Sequence, residues 1–193
     1  MSTQLILASS SPYRRALLDR LQLRYRAVSP DIDESRGERE TPEAYVRRLS
    51  QEKAAAVAAR HPESLIIGSD QAAVLDGEIL DKPGSHERAL AQLRRASGRH
   101  VDFLTGLCLL NAARATVQTD VVRTRVHFRR LDDAAIERYL WRERPYDCAG
   151  SFRSEGLGIV LFERIESDDP TALIGLPLIR LASMLRHEGI VLP

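Results

Sequence analysis

The chain has 193 residues, enough for one domain of ordinary size with a real core. Hydrophobic residues make up 44% and charged residues 28%, which excludes a disordered chain. With 28 Lys and Arg against 27 Asp and Glu the formal net charge is +1, which argues against coating nucleic acid or membrane by bulk charge and leaves room for a small anion held by a local basic cluster.

Basic residues are nearly all arginine; lysine occurs only as Lys53 and Lys82. Cys108 and Cys148 sit in apolar or small-residue contexts and read as reduced, buried thiols, because a disulfide framework or a metal site wants more cysteines or closer spacing. The histidines are scattered without a metal-ligand pair, which argues against zinc. The N-terminal run MSTQLILASSSP has neither a basic leader nor a cleavage site, and no apolar run approaches the roughly 20 residues of a membrane span. The expectation is a soluble cytoplasmic protein.

Residues 5–8 (LILA) predict a buried strand that ends in Ser9-Ser10-Ser11-Pro12. Ser11 followed by Pro12 is a helix start: a capping hydroxyl, then a proline whose missing N–H costs nothing. Leu17, Leu18 and Leu21 continue at helical spacing. The N–H groups of such a start suit an anion. Residues 24–28 read as a strand and 29–41 (SPDIDESRGERET) as a polar loop. Thr41-Pro42 repeats the cap and opens a long helix to about Arg60. Residues 65–68 (LIIG) read as a short apolar strand with Ser69-Asp70-Gln71 at its end, and 72–80 as a hairpin turning at Asp76-Gly77. Ser85 caps a helix through Ala96. Residues 101–110 read as a strand and 117–129 as its antiparallel neighbour. Asp132 caps a helix through Glu143, 150–155 reads as a small, polar, flexible stretch, and 158–162 as a strand. Leu176-Pro177 opens a last helix that ends at Gly189, suited to a left-handed cap. The sum is a single α/β domain over 1–193, with a mixed central sheet flanked by helices.

Three polar segments interrupt this pattern where strands end: SSSPYRR at 9–15, GSDQ at 68–71 and DKP at 81–83. Ligands of open α/β sheets favour such ends. A hydroxyl-rich loop with arginines at a helix start has the parts of a phosphate site, because a guanidinium grips two oxygens at once. Asp70 reads as a metal ligand, a general base or a plain strand terminus. Glu34, in an acidic loop with Asp31 and Asp33, reads by itself as a solvated charge. Lys53 reads as a helix-surface charge and Lys82 as a turn residue.

Taken together, SSSPYRR, QEKA at 51–54, GSDQ, DKP and AGSFRSEG at 149–156 resemble the Maf family, in order and over essentially the whole chain. The resemblance implies an elongated α/β structure with a nucleotide cleft along its sheet, of the house-cleaning nucleotide pyrophosphatase kind. It implies hydrolysis of a nucleoside triphosphate to the monophosphate and pyrophosphate with a divalent cation, magnesium or manganese. It implies that Ser9, Arg14, Lys53 and Lys82 hold the triphosphate, and that Glu34 and Asp70 bind the metal or activate water, with Asp70 the proton acceptor. It also implies a homodimer. Both lysines fall on the family's phosphate positions.

Tyr13, Gln71 and Glu155 fall on the positions that separate the family's subgroups, and they resemble the 7-methyl-GTP subgroup, although Tyr13 stands where tryptophan is expected most. Methylated guanine is cationic and stacks on an aromatic face by about 0.5–2 kcal/mol. A carboxylate such as Glu155 accepts from its N1–H and exocyclic amine, and Gln71 offers both a donor and an acceptor. The resemblance therefore implies cleavage of 7-methyl-GTP to 7-methyl-GMP and pyrophosphate. The alternatives are the dTTP/UTP pyrophosphatase subgroup, a non-catalytic nucleotide-binding regulator of septum formation, and a cap-binding module.

Overall fold

The computed structural model describes residues 4–193; residues 1–3, the start of the expected domain, lie outside them. In chain order the elements are β1 (Gln4–Ala8), α1 (Pro12–Asp19), β2 (Tyr25–Val28), α2 (Pro42–Ala58), β3 (Ser64–Leu75), β4 (Glu78–Leu80), α3 (His86–Ala96), β5 (His100–Asn111), β6 (Thr116–Phe128), α4 (Asp133–Glu143), β7 (Phe162–Ser167) and α5 (Leu178–His187). The strands make one seven-stranded sheet in the order β2-β1-β3-β5-β6-β7, with β4 paired to β3. It is mixed: β1 is parallel to β2 and β3, while β3–β4 and β6–β7 are antiparallel. The expected α/β class holds.

The capping signals act as expected. Ser11, Thr41, Ser85 and Asp132 each accept a backbone N–H from the first turn of the helix that follows. Asp76 and Gly77 turn the β3–β4 hairpin with φ of 52° and 82°, the pair of positive values that a type I′ turn requires.

The fold divides into two compact units. Unit 1 holds the residues up to Asp70, Thr105–Val122 and Asp169–Pro193. Its strand β1 is buried from Leu5 to Ala8, and alternate residues serve opposite faces. Leu5 and Leu7 join Leu65, Ile67, Leu107, Leu181 and Leu185 in one apolar cluster, whereas Ile6 and Ala8 join Ala54, Val57, Ile66 and Cys108 in another. A strand covered on both sides reads as the unbroken apolar run that LILA is.

Unit 2 holds Gln71–Leu104 and Arg123–Asp168. Phe103, Phe128, Phe152 and Phe162 pack edge to face in it, with ring centroids 4.7 to 5.6 Å apart. Gly150 is part of this packing: a Cβ there would lie 2.8 Å from the Phe103 ring.

Several boundaries differ from the sequence reading. Strand β3 does not end at Gly68; it continues to Leu75, and Asp70 lies inside it. The run 157–161 is a 3-10 helix and strand β7 begins only at Phe162. The Glu143 carboxylate takes the Leu157 N–H at 2.8 Å, and Gly158 presses on the Arg153 backbone, so the chain starts with a turn instead of a ladder. The stretch 150–155 is not loose: Gly150, Ser151 and Phe152 are buried. Both cysteines are free thiols, but only Cys108 is buried and Cys148 is half-buried. Burial pushes the Cys108 thiol up to about 12.

Candidate functional site

Two glycines bring α2 down onto the sheet of unit 1. A Cβ at Gly68 would lie 2.0 Å from the Ser50 carbonyl oxygen, and one at Gly106 would lie 2.2 Å from the Val46 carbonyl oxygen. The helix thus rests on β3 and β5 at backbone contact, which only glycine permits. Asp70 follows Gly68 by two residues and shares its face of β3. Lys53 follows Ser50 by nearly one helical turn. The side chains of Lys53 and Asp70 consequently meet.

Lys53 Nζ lies 2.5 Å from Asp70 Oδ1 and 2.8 Å from Glu34 Oε1. One ammonium bridges two carboxylates. The lysine side chain is 7% exposed and that of Asp70 11%, whereas that of Glu34 is 56% exposed. Asp70 is therefore the desolvated carboxylate of the two, and Glu34 the one that faces water.

Glu34 sits in the irregular segment 29–41, and α2 holds that segment in place. The Tyr45 hydroxyl donates to the Glu34 carbonyl at 3.0 Å. Arg48 donates to the Ser35 carbonyl at 3.0 Å and grips Glu40 through two nitrogens at 2.7 and 2.8 Å. The Arg48 hydrogen bond holds the Glu40 carboxyl below its ordinary range.

Arg14 belongs to the same electrostatic environment. Burial lowers its pKa, and the negative charges of Asp70 and Glu34 oppose that shift; a guanidinium stays protonated throughout. Its Nε donates to the Gly175 carbonyl at 2.8 Å. Ser9, buried at the end of β1, accepts the Ser11 N–H on its Oγ at 3.1 Å. Tyr13 is half-buried in the first turn of α1. Unit 1 thus gathers Glu34, Lys53 and Asp70 in direct contact, with Arg14 in their field.

The remaining candidates belong to unit 2. Gln71 is half-buried in β3. Lys82 is exposed just after β4, ahead of a buried Pro83. Glu155 is exposed and accepts the Ser154 hydroxyl at 3.3 Å. Among the described residues no group of three or more His, Cys, Asp and Glu is arranged to hold a metal ion.

A family model described as Maf-like protein matches residues 4–188. The chain belongs to this family. It is 59% identical to a protein named 7-methyl-GTP pyrophosphatase from Pseudomonas aeruginosa strain PAO1, over 98% of each chain. The same name, identity and coverage apply to a relative from Pseudomonas syringae pv. tomato. A third relative of that name, from Alcanivorax borkumensis, is 57% identical over 98% of this chain and 96% of its own.

For this Maf-like chain, sequence reading did not find the residues that hold these candidates in place. Tyr45 and Arg48 fix the Glu34 segment, and Gly175 holds Arg14. In unit 2, Gln92 donates to the Asp81 carbonyl at 2.8 Å and accepts the Ser151 hydroxyl at 2.5 Å. The Gly84 N–H meets the Tyr146 carbonyl at 2.9 Å, so the turn carrying Lys82 is held from both sides. One signal was available: a tyrosine and an arginine spaced along the start of α2, opposite an acidic loop.

Proposed function

We propose that this protein is a nucleoside triphosphate pyrophosphatase that converts 7-methyl-GTP and water to 7-methyl-GMP and pyrophosphate. The observation that carries the chemistry is the Lys53 ammonium bridging Asp70 and Glu34. A buried cation between two carboxylates can take up a phosphate oxygen while a carboxylate takes a proton. The choice of base rests on the relatives, named 7-methyl-GTP pyrophosphatase at 57–59% identity over 98% of this chain.

In this reading the triphosphate oxygens are held by Arg14, Lys53, Lys82 and Ser9. Asp70 accepts a proton from a water that attacks the α-phosphorus. The bond from that phosphorus to the bridging oxygen breaks, and pyrophosphate leaves with the electron pair. Paired carboxylates suit magnesium or manganese, hard cations that bind through one or two carboxylates and phosphate oxygens and keep several waters. When bound, a divalent cation would neutralise phosphate charge; Glu34 and Asp70 would hold it. Tyr13, Gln71 and Glu155 read the base. A cytoplasmic homodimer completes the proposal; no helix among the described residues is long and apolar enough to cross a membrane.

The test is pyrophosphate release from 7-methyl-GTP, GTP, dTTP, UTP and CTP, with magnesium or manganese. Preference for 7-methyl-GTP is expected, with a loss of about 10²–10⁴-fold in Asp70→Asn, the usual worth of a general base. Preference for dTTP or UTP would overturn the base assignment and keep the chemistry. Glu155→Gln should reduce kcat/KM for 7-methyl-GTP more than for GTP; equal losses would remove Glu155 from base recognition.

A further inference from the structure

The loop between β7 and α5 holds a buried acid that the chemistry above does not use. Asp169 is 2% exposed. Its Oδ2 accepts the Ile179 and Arg180 N–H groups at 2.7 and 3.1 Å, and its Oδ1 accepts the Thr171 N–H and hydroxyl at 3.2 and 2.7 Å. Helix α5 begins after Pro177, whose side chain makes no capping bond. Asp169 therefore caps α5 from ten residues upstream. The Thr171 oxygen in turn accepts the Leu178 N–H at 2.8 Å and lies 2.8 Å from the Leu176 carbonyl oxygen. Both ends of the loop are tied to one carboxylate and one hydroxyl.

Gly175 ends a short 3-10 turn, Ala172–Ile174, within this loop. Its φ is 115°, a left-handed value that side-chain-bearing residues rarely adopt. Its carbonyl meets Arg14 Nε at 2.8 Å and Ser69 Oγ at 2.9 Å. A Cβ at Gly175 would lie 3.5 Å from Arg14 Nε. The carbonyl thus fixes the guanidinium at its Nε. A planar fork fixed along one side is pre-organised for bidentate capture of phosphate.

We propose that the loop 169–178 is a positioning device for Arg14, with Gly175 setting the guanidinium and Asp169 and Thr171 setting Gly175. The kinetic consequence rests on the reading of Arg14 as a triphosphate ligand; the geometric consequence does not. Gly175→Ala forces the loop out of its left-handed conformation, Ser69→Ala releases the other group on the carbonyl, and Asp169→Asn removes the charge at the base. Gly175→Ala and Ser69→Ala keep the test open if Asp169→Asn fails to fold.

Two readouts separate the inference from the function. The first is the hydrogen exchange of the Arg14 Nε–H by ¹⁵N NMR, assigned through Arg14→Lys. Exchange should quicken in Gly175→Ala; an unchanged rate overturns the inference whatever the enzyme does. The second is the kinetics of 7-methyl-GTP hydrolysis. Gly175→Ala should raise KM about tenfold with kcat nearly kept, comparable to weakening one charge-assisted hydrogen bond. In the Arg14→Lys background the same substitution should change KM by less than about twofold, because the group it positions is gone. Independent, multiplying losses would overturn the inference. Absence of turnover in the wild-type protein would sink the proposed function, and the exchange measurement would still decide the role of the loop.

Discussion

Lys53 carries one positive charge against the two negative ones of Asp70 and Glu34, and burial decides how the three depend on one another. Removing the lysine leaves Asp70 as a desolvated, unpaired carboxylate. Lys53→Met should therefore destabilise the protein by about 3 kcal/mol, since breaking a buried pair costs more than the pair contributes. Lys53→Met combined with Asp70→Asn should recover part of that loss. Glu34→Gln, at a largely exposed carboxylate, should shift stability by less than about 1 kcal/mol. Urea titration of these variants against the wild-type protein reads all three values; a double variant no better than Lys53→Met would mean that Asp70 was never the strained partner. The same imbalance explains what a single sequence can and cannot expose. Asp70 after an apolar run, and lysines in a chain of arginines, are visible as exceptions. The carbonyl of Gly175 is not visible, because a backbone group carries no signature and its partner Arg14 lies 161 residues away.

At the scale of elements, the site is made by how closely a helix approaches a strand. Gly68→Ala would place a methyl 2.0 Å from the Ser50 carbonyl oxygen, so α2 must lift from β3. Overpacking of this kind costs about 1–3 kcal/mol or more, and it should separate Lys53 from Asp70. A purified Gly68→Ala protein that keeps wild-type turnover would show that the helix contact is not what aligns them. In unit 2, Arg125 bonds both oxygens of Asp102 at 2.7 and 2.8 Å and ties β6 to β5. That hydrogen bond holds the Asp102 carboxyl below its ordinary range. A depressed folded pKa gives stability that is full above the unfolded value near 4 and fades as pH falls through the lower folded value. Asp102→Asn should thus cost more in urea midpoint at pH 7 than at pH 2.5; equal costs would contradict the linkage. Elements governed by local signals were readable in advance: four helix caps and the β3–β4 turn. Those governed by distant partners were not. Ser-Asp-Gln reads as a strand end because polar residues usually close a buried strand, yet β3 runs on, since Lys53 and the Gly106 and Gly175 carbonyls meet the Asp70 carboxylate and the Ser69 hydroxyl. Residues 158–162 read as a strand, but the Leu157 N–H goes to Glu143 and 157–161 winds into a 3-10 turn.

At the scale of the molecule, neither unit is a continuous stretch of chain. Unit 1 takes three segments and unit 2 takes two. Deleting 169–193 would strip Leu176, Leu178, Leu181, Met184 and Leu185 from the larger core cluster of unit 1. At about 1.5–3 kcal/mol for each buried side chain, the loss is on the order of the whole stability of a domain. The truncated protein should show no cooperative thermal transition for unit 1 by circular dichroism; a native-like melt would mean that α5 is dispensable to the core.

The segment order also sets a schedule for synthesis. A ribosome releases β1 well before α5, so Leu5 and Leu7 find Leu181 and Leu185 only once α5 has emerged. All of unit 2 has been polymerised by residue 168, before the last segment of unit 1 is added. The nascent chain must therefore carry an unfinished apolar strand until α5 emerges, a period in which chaperones that bind nascent apolar segments would find it exposed. Arg14 meets the carbonyl that holds it only when residue 175 arrives, 161 residues after its own synthesis.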